Sequence, residues 1–250
     1  MRVTVLGAGT AIPTPGYSPA GLYIEVGRER ILLDAGAGSL QRLATLGVSF
    51  RSIDRVFLTH FHLDHCLDLL SLLFARRIPS PAMKPPLAIY GPRGLRLLHR
   101  QLNRAFKGWL GPRGYRLTLR ELGNTTLRLP GYTITSRPMR HDDTGAIGYR
   151  ITAAGKSLAY SGDTDTCRAV IELGREADAL ILECSAPDER KVEGHLTPSE
   201  CGRIAAEAGC RHLVLTHFYP VFRGYDIRGR VRRHFRGRLS LARDFLSLRV

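Results

Sequence analysis

The chain has 250 residues, 44% hydrophobic and 24% charged, the usage of a globular protein long enough to bury its own core. Its 26 Gly and 14 Pro exclude a collagen-like or disordered chain, and no apolar run approaches the roughly 18 residues of a membrane span; the best, Cys66 to Ala75, is short and carries Asp68. Net charge is +15 with only four lysines (Lys84, Lys107, Lys156 and Lys191), so Arg supplies the excess; its planar fork suits phosphate, and high-GC coding enriches Arg equally well.

The start, MRVTVLGAGTAIPTP, lacks a basic region followed by an apolar stretch and a cleavage site. It reads as a strand over Met1–Leu6 and a Gly turn, and the expected compartment is the cytoplasm. Leu22–Val26 and Arg30–Leu33 flank the turn at Gly27 as a hairpin. Gly38–Leu46 reads as a helix stopped by Gly47. Val56–Thr59 is a buried strand, Leu67–Arg77 a helix, Leu87–Tyr90 a strand and Arg93–Leu110 a basic amphipathic helix. Thr126–Leu129, Thr133–Pro138, Ala146–Thr152 and Ser157–Ser161 read as antiparallel strands. Cys167–Gly174 is helical and Ala179–Glu183 a strand. Pro198–Ala208 is a helix with Thr197 as N-cap and Glu200 completing a capping box. Leu213–Thr216 is a buried strand, Arg228–Phe235 a helix, and Ser240–Val250 holds a last strand. Many strands in each half, with helices following them, predict an α/β fold: two sheets packed together with helices outside, in one domain over residues 1–250.

The strongest chemical signal is Thr59-His60-Phe61-His62-Leu63-Asp64-His65. In an extended segment His60 and His62 point to one side. A turn into a helix then brings Asp64 and His65 beside them. Imidazole and carboxylate suit zinc, iron or manganese, and four such groups at a buried strand end are hard to satisfy otherwise. A loop this short needs distant ligands to close its sites. His141, Asp163 and His217 each follow a predicted strand. Singly, each reads as an ordinary satisfied residue; together, at strand ends opposite HxHxDH, they read as ligands.

This order of motifs, HxHxDH then His141, Asp163 and His217, resembles the metallo-β-lactamase superfamily over nearly the whole chain. The resemblance implies an αββα sandwich, two mixed sheets with helices on the outer faces, and a dinuclear metal centre at one edge. By the family pattern His60, His62 and His141 would hold one divalent ion, by default zinc, with manganese or iron as alternatives. Asp64, His65 and His217 would hold the second, and Asp163 would bridge both. Such a pair shares a hydroxide made at neutral pH and stabilises the departing oxygen.

Within the superfamily the chain looks like ribonuclease Z and its relatives. LGAGTAIPTP is similar to their Gly-rich opening, LLDAGAG with Asp34 to their DCGEG segment, and PPLAIYGPRG to a shared strand-turn. Glu183 followed by His195-Leu196-Thr197 resembles the Glu and HxT pair of this branch. There the His assists the departing oxygen and the Glu orients it, so the catalytic set implied here is Asp64, Glu183 and His195. The plain alternative for His195 is a loop histidine near a helix start. Asp34 reads as a partner that fixes a ligand His tautomer, or as an Asp in a turn.

Two departures stand out. Ribonuclease Z carries a long basic arm between the third and fourth metal motifs; here positions 141 to 163 hold a plain hairpin. The Glu of DCGEG is replaced by Ala37. Smaller relatives without the arm hydrolyse small or cyclic phosphodiesters. The implied function is therefore a phosphodiesterase acting on a small or cyclic phosphodiester or on RNA. The alternatives are a lactone, β-lactam or thioester hydrolase on the same fold, and a nucleic-acid-binding module with a residual metal site. No membrane partner is expected, and related enzymes are often dimers, which leaves a homodimer open.

Other features weigh less. GAGTAIP lacks the third Gly of a dinucleotide fingerprint, since Ile12 stands there. Five cysteines without a CxxC pair read as reduced, buried thiols. Asp142 and Asp143 read as either outer partners of the site or solvated residues. His99, His212 and His234 read as structural. Arg223–Arg238 holds seven Arg and one acid, Asp226; it reads as a substrate-backbone grip or as a solvated basic face.

Overall fold

Strand alternation sets the layers. The computed structural model describes residues 1–79, 85–141 and 145–250; Asp142 and Asp143 lie outside the described residues. In β2 (Gly21–Val26), β3 (Glu29–Leu33) and β4 (Arg55–Phe57), Leu22, Ile24, Ile31, Leu33 and Phe57 face inward. Their neighbours Tyr23, Leu32 and Val56 face a helical layer. The second half repeats the scheme. In β11 (Ala179–Glu183) and β12 (His212–Thr216), Ile181 and Val214 face the first sheet, while Leu180, Leu182, Leu213 and Leu215 face outward into helices. Both faces of these strands are buried, so they read as continuous apolar runs.

The first sheet also holds β1 (Arg2–Gly7), β5 (Leu87–Gly91), β6 (Leu117–Glu121) and β14 (Ser247–Arg249), in the order β14-β1-β2-β3-β4-β5-β6. The second holds β7 (Thr125–Leu129), β8 (Tyr132–Pro138), β9 (Ile147–Ala153), β10 (Lys156–Tyr160) and β13 (Arg238–Leu241), in the order β13-β12-β11-β10-β9-β8-β7. Each sheet is mixed in the same way. Pairing is antiparallel from β14 to β3 and from β7 to β10. It is parallel from β3 to β6 and from β10 to β13. Helices α1 (Ser39–Thr45), α2 (Leu63–Arg77) and α3 (Leu95–Ala105) cover the first sheet. Helices α4 (Arg168–Gly174), α5 (Pro198–Ala208) and α6 (Ile227–Arg232) cover the second. This is the expected αββα sandwich. Ligand sites in such sheets form beyond the carboxyl ends of the parallel strands; His60, His62, Asp163 and His217 follow such strands and Glu183 ends one.

The differences from the sequence expectation have local causes. Helix α2 begins at Leu63, not Leu67, because Asp64 in its first turn complements the helix N-terminus. Helix α3 ends at Ala105 and the chain turns through Gly108, at φ 84°. Strand β6 carries no fully buried residue and its edge position weakens its pattern. The stretch Ser240–Val250 divides between β13 in one sheet and β14 in the other. All five cysteines are free, but Cys167 is only half-buried, at the start of α4, while the other four are buried. The Gly7–Gly9 turn joins antiparallel strands, which excludes a dinucleotide fold there. Among the described residues no helix is long and apolar enough to cross a membrane.

Three of the seven arginines in the basic segment from Arg223 are tied to their own chain. Arg230 pairs with Asp188 and Glu189. Arg228 donates to the Leu239 carbonyl, and Arg232 to those of Phe235 and Gly237.

His212, buried at the head of β12 with Nε2 2.9 Å from Ser240 Oγ, has its pKa pushed down to about 4 from 6.5 by burial and then by the Arg238 charge. An unfolded chain protonates this ring near 6.5 and the folded chain does not. The His212 contribution to stability is therefore full above pH 6.5 and lost as pH falls from 6.5 toward 4. Denaturant midpoints of His212→Gln should fall less than wild type between pH 7.5 and 5; parallel curves would show that this ring does not titrate on unfolding.

Candidate metal centre

The ends of four strands and the first turn of one helix deliver the site. His60 and His62 follow β4, Asp64 and His65 form the first turn of α2, His141 follows β8, Asp163 follows β10 and His217 follows β12. All seven predicted positions converge. His60, His62, His141 and Asp163 form one group with ligand atoms within 4.8 Å of one another, and Asp64, His65 and His217 form a second. Asp163 spans them. Its Oδ1 is 3.3 Å from His65 Nε2, and its Oδ2 is 3.6 Å from His217 Nε2, 3.9 Å from His60 Nε2 and 4.0 Å from His141 Nε2. Asp64 Oδ2 lies 3.3 Å from His217 Nε2 and also accepts the Ala11 N–H.

Outer partners fix which nitrogen of each ring faces inward. His65 Nδ1 donates to Asp34 Oδ2 at 2.8 Å. His141 Nδ1 donates to the Gly194 carbonyl at 2.9 Å. Thr59 Oγ1 gives its proton to Asp34 and so accepts from His60 Nδ1 at 3.0 Å. Ser185 Oγ gives its proton to Glu183 Oε2 at 2.6 Å and so accepts from His217 Nδ1 at 2.9 Å. Four rings therefore present Nε2 lone pairs to one another, an assignment that follows from the hydrogen-bond network.

The consequence is electrostatic. His65 Nε2 and His217 Nε2 stand 3.2 Å apart, and His141 Nε2 and His62 Nδ1 stand 3.3 Å apart. The facing lone pairs of His65 and His217 at 3.2 Å need a proton or a cation between them. His60 Nε2 and Asp163 Oδ1 are buried with no hydrogen-bond partner, a costly state that coordination would relieve. Burial, then the neighbouring His65, pushes the His60 pKa down to about 2, so this ring stays neutral and its Nε2 lone pair carries no proton. Burial raises the Asp163 carboxyl, but the charges of His217 and His65 outweigh it and hold it well below the usual carboxylate range. The residues present thus fit divalent ions: hard carboxylate, neutral imidazole and unpaired lone pairs converge.

Beside this cluster sits a second device. Glu183, buried at the end of β11, holds His195 Nδ1 at 2.9 Å through Oε1. Its other partners are Thr164 N–H and Ser185 Oγ. His195 Nδ1 is 3.9 Å from Asp163 Oδ2, at the edge of the cluster. Burial pulls the His195 pKa down, but the Glu183 hydrogen bond and charge outweigh it and bring it up to about 9. The loop carrying His195 is pinned from below: Lys191 Nζ bonds Asp165 and Glu200 at 2.7 Å each and also the His195 carbonyl, and Asp165 accepts Gly194 N–H at 3.1 Å.

Thr59, Tyr160, Asp165, Ser185 and Lys191 escape sequence reasoning. Ser185 had a signal, standing two positions after Glu183 on the same side of the chain; the others act through contacts distant in sequence. Close approach also matters. A Cβ on Gly36 would lie 2.1 Å from the Asp64 carbonyl oxygen, so only glycine lets this turn reach the metal loop.

Residues 29–218 match the family model described as the beta-lactamase superfamily domain. The ribonuclease Z of Methanosarcina acetivorans is 31% identical over 268 residues, covering 87% of each chain. That of Mycobacterium bovis (strain BCG / Pasteur 1173P2) is 28% identical over 282 residues, covering 100% of this chain and 98% of the relative. Among solved structures, the metallo-beta-lactamase fold protein YhfI of Bacillus subtilis superposes with a TM-score of 0.85 at 26% identity over 99% of both chains. Human tRNase Z, short form, superposes with a TM-score of 0.81 at 24% identity over 100% of this chain and 99% of that one, a likeness of fold.

Asp34 adopts φ 59°, which Asn tolerates. Asp34→Asn should fold and lose about 10- to 100-fold in divalent-metal affinity, read by competition with a chromogenic chelator. Unchanged affinity would show that this carboxylate does not hold the rings.

Proposed function

Because this chain belongs to the beta-lactamase superfamily, within its ribonuclease Z-like branch, we propose that residues 1–250 form a single metal-dependent hydrolase domain that cleaves phosphodiesters, either RNA ends or small or cyclic diesters. The observation that carries this reading is the Glu183–His195 pair at the edge of the histidine cluster. A carboxylate-held imidazole serves a poor, alkoxide leaving group. An ester carbonyl attacked by hydroxide needs it less.

In this reading His60, His62 and His141 would hold one divalent ion, Asp64, His65 and His217 would hold a second, and Asp163 would serve as a ligand beside both groups. Zinc is the default for this His-rich set. Bound there, the pair would supply an activated water and neutralise charge on the phosphate. The remaining work belongs to the chain. Ser185, Asp34, Thr59 and the Gly194 carbonyl keep the ligand rings in one tautomer. His195, protonated at neutral pH, donates from Nε2 to the departing oxygen while Glu183 holds Nδ1. Lys191 and Asp165 keep its loop in place. Asp64, with one oxygen on the Ala11 N–H, is suited both to bind metal and to pass a proton. Between His141 and Asp163 the described residues make the β9–β10 hairpin, and the span is too short for an arm that grips a folded RNA, which favours small diesters and RNA ends.

Protein reconstituted with zinc or manganese should hydrolyse bis(p-nitrophenyl) phosphate, and Asp163→Ala should lose more than about 100-fold. No turnover with metal bound would overturn the phosphodiesterase reading and direct the search to lactones, β-lactams and thioesters. His195→Ala separates the roles. It should cost less than about tenfold on p-nitrophenyl diesters, whose leaving group needs no proton, and about 10²- to 10⁴-fold on dinucleotides, whose leaving group is an alkoxide. Equal losses on both substrates would remove His195 as the acid.

A further inference from the structure

Beyond His195 the site opens into a cavity of about 640 Å³, within the range of small-molecule sites. The loop after β11 supplies Ala186, Pro187 and Val192, the loop after β12 supplies Tyr219 and Val221, and the loop after β1 supplies Ile12. Ile12, Val192 and Val221 stand 48%, 52% and 40% exposed, apolar side chains held around an open space. The cavity is continuous with the chemistry, since His195 and Ser185 form part of its lining and the Tyr219 ring stands edge-on to both His195 and His217.

Two inner polar groups of this cavity are committed, while the Tyr219 hydroxyl makes no hydrogen bond among the described residues. Ser185 Oγ serves Glu183 and His217, and His195 Nδ1 serves Glu183. Arg190 also lines the cavity, and its guanidinium makes no ion pair among the described residues. A guest here meets few hydrogen-bonding groups at its edge. It meets aliphatic walls that accept flat apolar faces and a guanidinium that stacks on a π face. An aliphatic guest would leave Arg190 unused; an aromatic one would not.

We propose that this cavity binds a flat aromatic ring, a nucleobase or an aryl group, carried on the departing-oxygen side of the substrate, and that it reads the ring by its faces and not by its edge. The proposal rests on the phosphodiesterase reading, which places His195 on that side. All four bases are then accepted alike, because stacking is indifferent to base identity.

Two measurements test it. The first compares kcat/KM for dinucleotides bearing each of the four bases, for a benzyl ester and for an abasic sugar, all with an alkoxide on the departing side. The second follows binding of the four ribonucleosides and of ribose to metal-loaded protein by saturation-transfer NMR. Ring-bearing substrates should exceed the abasic one by about tenfold or more, with the four bases within about threefold of one another. Val192→Asp, at an exposed wall position, should abolish nucleoside binding and bring the ring-bearing rates down to the abasic one. Arg190→Gln should remove part of the advantage. Equal rates with and without the ring overturn the proposal and leave the phosphodiesterase reading intact, as does strong preference for one base. Nucleoside binding that Val192→Asp abolishes, with no diester cleaved, overturns the phosphodiesterase reading and leaves the ring site standing. Neither binding nor cleavage overturns both. A benzyl ester matched by no nucleobase substrate assigns the ring to an aryl group.

Discussion

One buried carboxylate joins the two sheets to the site. Asp34 leaves β3 at φ 59° and takes four hydrogen bonds: from Thr59 N–H at 2.8 Å, Thr59 Oγ1 at 2.9 Å, His65 Nδ1 at 2.8 Å and Tyr160 Oη at 2.9 Å. Thr59 begins the metal loop, His65 stands in α2, and Tyr160 ends β10 in the opposite sheet. A non-glycine residue in the left-handed region costs about 1–3 kcal/mol. A buried anion with four donors offsets that cost, and the geometry it enforces is the one the histidines need. His217 repeats the device from the other sheet at φ 62°, with Ser185 at its outer nitrogen.

The cluster therefore owes its shape to the fold and not to a metal. The inward nitrogens of His60, His65, His141 and His217 are each aimed by a bond on the far side, from residues in different loops. The inward face is under electrostatic tension, with the His65 and His217 lone pairs opposed at 3.2 Å. The outward face is relaxed, with its polar groups paired. Binding energy for a cation is thus stored in the placement of rings that already have their orientation, the condition under which little has to move when the site fills.

Much of this was legible in sequence because the chemistry is concentrated there. HxHxDH packs four ligand candidates into one loop, and His141, Asp163 and His217 each follow a strand whose apolar run is plain. The αββα layering was readable from runs such as Leu213–Thr216 and Ala179–Glu183. Less legible were elements whose residues serve two masters. Strand β6 alternates Leu with Thr and Arg at a sheet edge and buries nothing fully. Helix α2 takes in the last two ligands of the motif, so its start is set by metal-loop geometry as much as by apolar spacing. Lys191 looked like one more charge in a basic chain; only the fold brings Asp165 and Glu200 to it.

The exchange of sheets by the last two strands bears on how the molecule is assembled. Strand β1 lies between β2, its neighbour in sequence, and β14, with Arg2 opposite Arg249. Until β14 arrives, β1 is an open edge with unpaired backbone groups, and its inner face of Val3 and Val5 is incompletely covered. Pairings this distant in sequence are slow to form. The first sheet, although it holds the earliest strands, is thus the one completed last, and its exposed edge is where a folding chain is most open to misassociation with another copy.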